Sequence, residues 1–209
     1  MRSKPLIHKT ARTARRWLRE RKETLLWKIQ GSPVVAPPHI KRAVLLRHLK
    51  ANGLRVFVET GTLYGDTVAY LRPWCAEVHS IELSRDLFER AKARFSNDKA
   101  IHIWHGDSSE VLPEILHSLT EPALFWLDGH YSGEGTARGK EDTPILRELI
   151  HITKHPLKTS HYIVIDDARL FDGTNGYPQY EELCGVVATL GFGKVRTEGD
   201  MIILTNRSS

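Results

Sequence analysis

From Gly53 onward the chain alternates short apolar runs with helical patterns, and this alternation constrains the fold more than any other feature. Strand-like runs are expected at 55–58, 78–81, 101–104, 123–127 and 162–165. Helical patterns separate them at 66–73, 85–95, 108–119 and 144–154. Strands that alternate with helices pair in parallel through right-handed crossovers. A further helix at 178–190 is followed by two short strands at 194–196 and 201–204. The tight turn Glu198-Gly199-Asp200 between them implies an antiparallel final pair. The expected class is therefore α/β, with a seven-stranded, mostly parallel sheet, an antiparallel last strand and helices on both faces.

Two helices precede this pattern. In residues 8–30, Ala11, Ala14, Leu18, Leu25 and Ile29 fall on one narrow stripe between crowded Arg and Lys. The segment from Gly31 to Pro38 carries three prolines and reads as a linker. A second helix at 39–52 has Ile40, Val44, Leu45, His48 and Leu49 on its apolar face, and Asn52-Gly53 ends it. The chain divides into a basic helical arm with a Pro-rich linker, 1–38, and a domain over 39–209.

Charge follows the same division. Residues 1–50 hold 14 Lys and Arg against 2 acids, a balance of +12. The remainder holds 16 against 23, a balance of −7, giving the net +5. Such asymmetry points to an acidic partner for the arm, an anionic membrane surface or nucleic acid through residues 1–30, with a basic helix packed on the body as the competing reading. A homo-oligomer that packs on the arm is the third partner in view. With 41% hydrophobic and 26% charged residues, the chain is neither wholly disordered nor collagenous nor a membrane bundle. At 209 residues it can bury about 70% of its unfolded surface without disulfide staples. Cys75 and Cys184 have no metal spacing. No run of about 18 apolar residues occurs, and the N-terminus lacks the apolar core of a secretory signal. The expected location is cytoplasmic, peripheral to a membrane if the arm binds one.

In a doubly wound sheet, ligands sit beyond the carboxyl ends of the strands, so each strand is read at its end. The first runs into Glu59-Thr60-Gly61-Thr62-Leu63-Tyr64-Gly65-Asp66-Thr67, where two glycines allow a close turn. The three-glycine dinucleotide fingerprint is missing, which weakens a nicotinamide reading. The second ends at Glu82, 21 residues past Gly61, where a carboxylate can accept hydrogen bonds from a ribose diol. The third ends at Gly106-Asp107-Ser108, where Asp107 could accept from an adenine amine. The competing readings are a plain turn, a solvated strand end and a helix N-cap.

Glu59-x-Gly61-x-x-x-Gly65, Glu82 and Gly106-Asp107-Ser108 resemble the first three motifs of class I S-adenosylmethionine-dependent methyltransferases, over roughly residues 40–205. The resemblance implies that fold, Rossmann-like, and S-adenosylmethionine as cofactor. It implies that Glu59 and Gly61, within the loop that also holds Thr60, Thr62, Tyr64, Gly65, Asp66 and Thr67, contact the methionine part. Glu82 would then hold the ribose, and Asp107 with Ser108 the adenine.

The fourth and fifth strands end in Asp128-Gly129-His130 and Asp166-Asp167. In the methyltransferase sheet these strands are neighbours, about 4.8 Å apart, so their carboxylates could converge on one cation. Oxygen donors select a hard metal, Mg²⁺ before Ca²⁺ or Mn²⁺. Asp128, Asp166 and Asp167 resemble the metal ligands of small-molecule O-methyltransferases of the catechol and macrocin types, with Asp128 also beside the cofactor. The implied acceptor is a small-molecule hydroxyl or a sugar. His130 is the candidate general base, at a position where the macrocin pattern carries an acid. Because adjacent strand residues face opposite ways, only one of Asp166 and Asp167 reaches the site unless the strand bends. The 14-residue loop from Gly129 to Asp142 reads as a lid or binding loop, in which Tyr131, Arg138 and Lys140 could meet an anionic acceptor.

Two other functions compete. One is an RNA ribose methyltransferase that uses the basic arm. The other is a non-catalytic cofactor-binding module that the arm tethers to RNA or membrane.

Overall fold

The computed structural model describes residues 6–31, 35–129, 144–174 and 176–205, with side chains from Leu18 onward. His130, the loop residues Tyr131, Arg138 and Lys140, and the first five residues lie outside the described residues.

Seven strands form one sheet: β1 (Val56–Thr60), β2 (Glu77–Glu82), β3 (Ile101–His105), β4 (Ala123–Leu127), β5 (Tyr162–Ile165), β6 (Lys194–Glu198) and β7 (Met201–Thr205). Their spatial order is β3-β2-β1-β4-β5-β7-β6. The first five strands pair in parallel, and β7 runs antiparallel to both β5 and β6. This is the α/β sheet expected from the alternation. The strand order reverses between β1 and β4, the switch point beyond whose carboxyl strand ends sheets of this kind bind ligands.

Period-two side-chain alternation explains why helices cover both faces. Val56, Val58, Phe125, Leu127, Ile163, Ile165, Ile202 and Leu204 pack with Leu112, Ile115, Leu149, Ile152, Leu183 and Val187. Those partners come from α5 (Ser108–Ser118), α6 (Ile145–Thr153) and α7 (Tyr180–Thr189). The intervening Phe57, Leu124, Trp126, Tyr162, Val164 and Ile203 pack with Leu45, Leu49, Val68 and Leu71, on α2 (Pro38–Ala51) and α3 (Asp66–Leu71). Side chains buried this fully each contribute about 1.5–3 kcal/mol, so the central strands hold the site from both layers.

The remaining helices are α1 (Leu6–Ile29) and α4 (Arg85–Phe95). The pattern expected at 66–73 divides, because Pro73 converts the end of α3 into a 3₁₀ turn over Arg72–Trp74. Pro144 caps α6 rather than opening its first turn. The basic arm docks on α2 through its own polar residues: Thr24 Oγ1 lies 2.7 Å from His39 Nε2, Glu23 lies 3.5 Å from His39 and Glu20 lies 3.8 Å from Arg42.

Candidate active site

The loop after β1 is held from below by a buried polar chain. Ser80 donates to Glu59 Oε2 at 2.7 Å and shares a 2.6 Å hydrogen bond with Thr62. All three side chains are buried. Burial pushes the Glu59 carboxyl up to about 8, against the hydrogen bonds from Ser80 and Thr67. Glu59 and Thr60 thus brace the loop from the interior. The amides of Gly61 and Thr62 are tied to the Ile81 carbonyl at 2.9 and 3.1 Å. Gly61 is required by more than the turn: at φ +90, a Cβ there would stand 2.6 Å from the Asp128 carbonyl oxygen. Tyr64 and Asp66 are outward-facing, and Arg94 spans them, meeting the Tyr64 carbonyl and pairing with Asp66 at 2.9 Å.

Glu82 closes the same loop. Its two oxygens accept from the amides of Leu63 at 2.7 Å and Ser84 at 2.8 Å. Leu63 takes a left-handed backbone, φ +50, which costs a non-glycine residue of order 1–3 kcal/mol. Its hydrogen bond to a carboxylate offsets a cost of that size. The carboxylate therefore sits at the end of β2, with its direction set by two backbone donors. At the end of β3, Asp107 caps α5: Oδ1 accepts from the Ser109 amide at 2.9 Å and the Ser109 hydroxyl at 2.7 Å. The N-cap reading of Asp107 is therefore correct, and it puts Asp107 and Ser108 at a helix N-terminus beyond the end of β3.

Asp128, Asp166 and Asp167 come together. Each offers a carboxylate oxygen, and these lie within 4.8 Å of one another. Register explains the first two: Leu127 pairs with Ile165, and the Asp166 amide bonds the Leu127 carbonyl at 3.0 Å. Asp167 joins them because the strand bends there. Its backbone is left-handed, at φ 52 and ψ 49, which removes the opposite-face conflict expected from alternation.

The acid cluster already holds a cation. Lys41 Nζ lies 2.5 Å from Asp166 Oδ1, 3.0 Å from Asp167 Oδ1 and 3.9 Å from Asp200 Oδ2. Arg169 pairs with Asp167 at 2.7 Å and with Asp200, whose side chain is fully buried. Burial acts to lower the lysine pKa, but the charges of Asp166 and Asp167 outweigh it and raise it. Burial pushes Asp166 up to about 6, against Lys41 and with Asp167 adding. Asp128 is held well above the ordinary carboxylate range by burial and then by Asp166, Asp167 and Glu59. Asp167 is pushed up by burial, but hydrogen bonds from Arg169 and Lys41 prevail and hold it low. The three converging oxygen donors of Asp128, Asp166 and Asp167 fit a hard divalent ion chemically. Such an ion would compete with Lys41.

Sequence reasoning missed Lys41, Arg169 and Asp200. One signal was available for Lys41: it lies in the first turns of a helix with no acid there, where a cation opposes the helix dipole. It also missed Glu148 of α6, fully buried beneath Thr60 and Ser108. Burial raises its carboxyl to about 7, against hydrogen bonds from those two hydroxyls. Its Oε1 has no hydrogen-bond partner.

No protein-family model matches the chain, and no curated protein does. Solved structures share its architecture. The SAH-bound methyltransferase PaMTH1 of Podospora anserina is 11% identical with a TM-score of 0.58, covering 100% of both chains. TomG of Streptomyces achromogenes, an O-methyltransferase involved in tomaymycin synthesis and solved with SAM, is 16% identical with a TM-score of 0.61, over 90% of this chain and 89% of that one. An O-methyltransferase of Bacillus cereus in complex with SAH is 15% identical with a TM-score of 0.58, over 89% and 90%. At these identities the likeness establishes the fold, a Rossmann-like class I methyltransferase fold, and the chemistry rests on the site.

Proposed function

We propose that the chain is an S-adenosylmethionine-dependent methyltransferase acting on a hydroxyl of a small molecule or sugar. One observation carries this reading: along the sheet, Asp107 and Glu82 stand at the carboxyl ends of the paired strands β3 and β2, and Asp128 and Asp166/Asp167 at those of the paired strands β4 and β5, with β1 between the two groups, an order that suits a nucleoside on one side and an acceptor on the other. S-adenosylmethionine, when bound, supplies an electrophilic methyl group on a sulfonium and departs as the neutral thioether. Glu82 accepts from the ribose diol, and its orientation is set in advance by the amides of Leu63 and Ser84. Asp107 and Ser108 face the adenine. Gly61 lets the first loop approach the end of β4 closely.

The acceptor hydroxyl lies on the side of Asp128, Asp166 and Asp167. A divalent cation there, Mg²⁺ first, would acidify that hydroxyl and fix its direction. Holding the acceptor hydroxyl in line with the sulfonium is the positioning that methyl transfer requires of this side of the site. His130, assigned on sequence alone, takes the hydroxyl proton.

A second reading is favoured by Lys41, whose ammonium already occupies the acid cluster. In it the lysine is the permanent cation, and no metal enters. Methyl-transfer assays on hydroxyl acceptors, run in chelator and again with Mg²⁺, separate the two. Loss and recovery support the metal site, and full activity in chelator supports Lys41.

A further inference from the structure

The face of α1 that looks away from the body carries a property that the proposed chemistry does not use. Glu20, Glu23, Thr24 and Trp27 recur at helical spacing on one side. Three of them meet α2: Glu20 at Arg42, and Glu23 and Thr24 at His39. At 100° per residue, Leu18, Leu25 and Ile29 fall on the opposite side. They are among the most exposed large apolar side chains described, at 60%, 59% and 71%. Lys22 lies within this stripe, and Arg19, Arg21 and Lys28 lie beside it, all exposed. Both acids of this stretch are on the docked side, where Glu23 also meets Arg19 at 3.7 Å, so among the described side chains the outward face over 18–29 carries cations and aliphatic groups only.

We propose that this face of α1 lies flat on an anionic lipid surface and so brings the catalytic body to a membrane. Each part of the face has a use there. Leu18, Leu25 and Ile29 enter the acyl boundary, while the Lys and Arg stems reach back to anionic headgroups. Twenty-four residues give a helix of about 36 Å to lie along it. No helix among the described residues is long and apolar enough to cross a membrane, which suits a surface-bound helix. A second copy of the chain is a poorer occupant, because pairing two such faces sets Lys22 and its neighbours against like charges. RNA would use the cations but gains nothing from three exposed aliphatic side chains.

Flotation of the full chain with vesicles tests this. Vesicles of phosphatidylcholine with phosphatidylserine should carry the protein, and pure phosphatidylcholine vesicles should not. The triple variant Leu18→Ser, Leu25→Ser, Ile29→Ser should bind the anionic vesicles at least ~10-fold more weakly, with an unchanged melting temperature, since these side chains are exposed. Three results would overturn the proposal. The wild type could fail to float with anionic vesicles. The triple variant could bind vesicles and a single-stranded RNA as the wild type does, which would indicate a purely electrostatic nucleic-acid face. Sedimentation could show a dimer that the triple variant dissolves, without vesicle binding.

Discussion

The ammonium of Lys41 lies 2.5 Å from Asp166 Oδ1, across 125 residues of sequence. A helix that precedes the strand–helix alternation thus supplies the counter-charge at the centre of the candidate site. Replacing Lys41 with Met removes the ammonium that pairs with Asp166, while Arg169 stays on Asp167 and Asp200; a buried carboxylate stripped of its partner is costly until another cation arrives. Lys41→Met should therefore melt earlier in chelator than the wild type. It should bind Mn²⁺ at least ~10-fold more tightly by calorimetry, and recover its melting temperature when the ion is added. Equal Mn²⁺ affinity in both proteins would mean that the lysine and the ion do not compete.

Glu82 accepts from two backbone amides and is assigned the ribose diol. Glu82→Ala should weaken S-adenosylhomocysteine binding by about 10- to 150-fold, the loss expected for charge-assisted hydrogen bonds of roughly 1.5–3 kcal/mol. It should also lower the melting temperature, because the amides of Leu63 and Ser84 lose their acceptor. Lower stability with unchanged affinity would confine Glu82 to bracing the loop.

Glu59 gives the fold a pH dependence of definite sign. Burial raises its carboxyl from 4.5 to about 8. Below the unfolded value both states carry a neutral group, and the contribution of neutral Glu59 is fully present. As pH rises, the unfolded chain ionises first, and the contribution is lost progressively through about pH 8. Glu59→Gln keeps an acceptor for Ser80 and cannot ionise. Its melting temperature relative to wild type should rise by a few degrees between about pH 5 and about pH 9. Parallel melting curves across that range would show that Glu59 does not carry the shift.

Gly61 combines a left-handed backbone with the Asp128 carbonyl 2.6 Å from where a Cβ would stand. Gly61→Ala should lose about 1–3 kcal/mol from the backbone conformation alone, and more from parting the ends of β1 and β4. Urea denaturation measures this, and an unchanged midpoint would mean that the junction relaxes at little cost.

What could be read without coordinates was what is periodic or terminal. The strands at 123–127 and 162–165 and the helix at 85–95 have the expected bounds, because apolar alternation and helical spacing mark them unambiguously. The expected end of the first strand at Val58 was two residues short. Glu59 and Thr60 continue the ladder as buried polar residues, and hydropathy does not mark such residues as strand. The acids at the strand ends were legible because parallel topology says where to look. Lys41, Arg169 and Asp200 were not, since a helix, a bend and a hairpin turn bring them together only in three dimensions. The convergence of Asp166 with Asp167 depended on one left-handed residue that no pattern specifies.

The most direct measurement is isothermal titration of the full chain with S-adenosylhomocysteine. If the carboxyl ends of β1, β2 and β3 form a cofactor site, binding should be one-to-one and saturable, with a Kd in the micromolar range, roughly −8 kcal/mol. No heat of binding at millimolar ligand would contradict the methyltransferase reading itself.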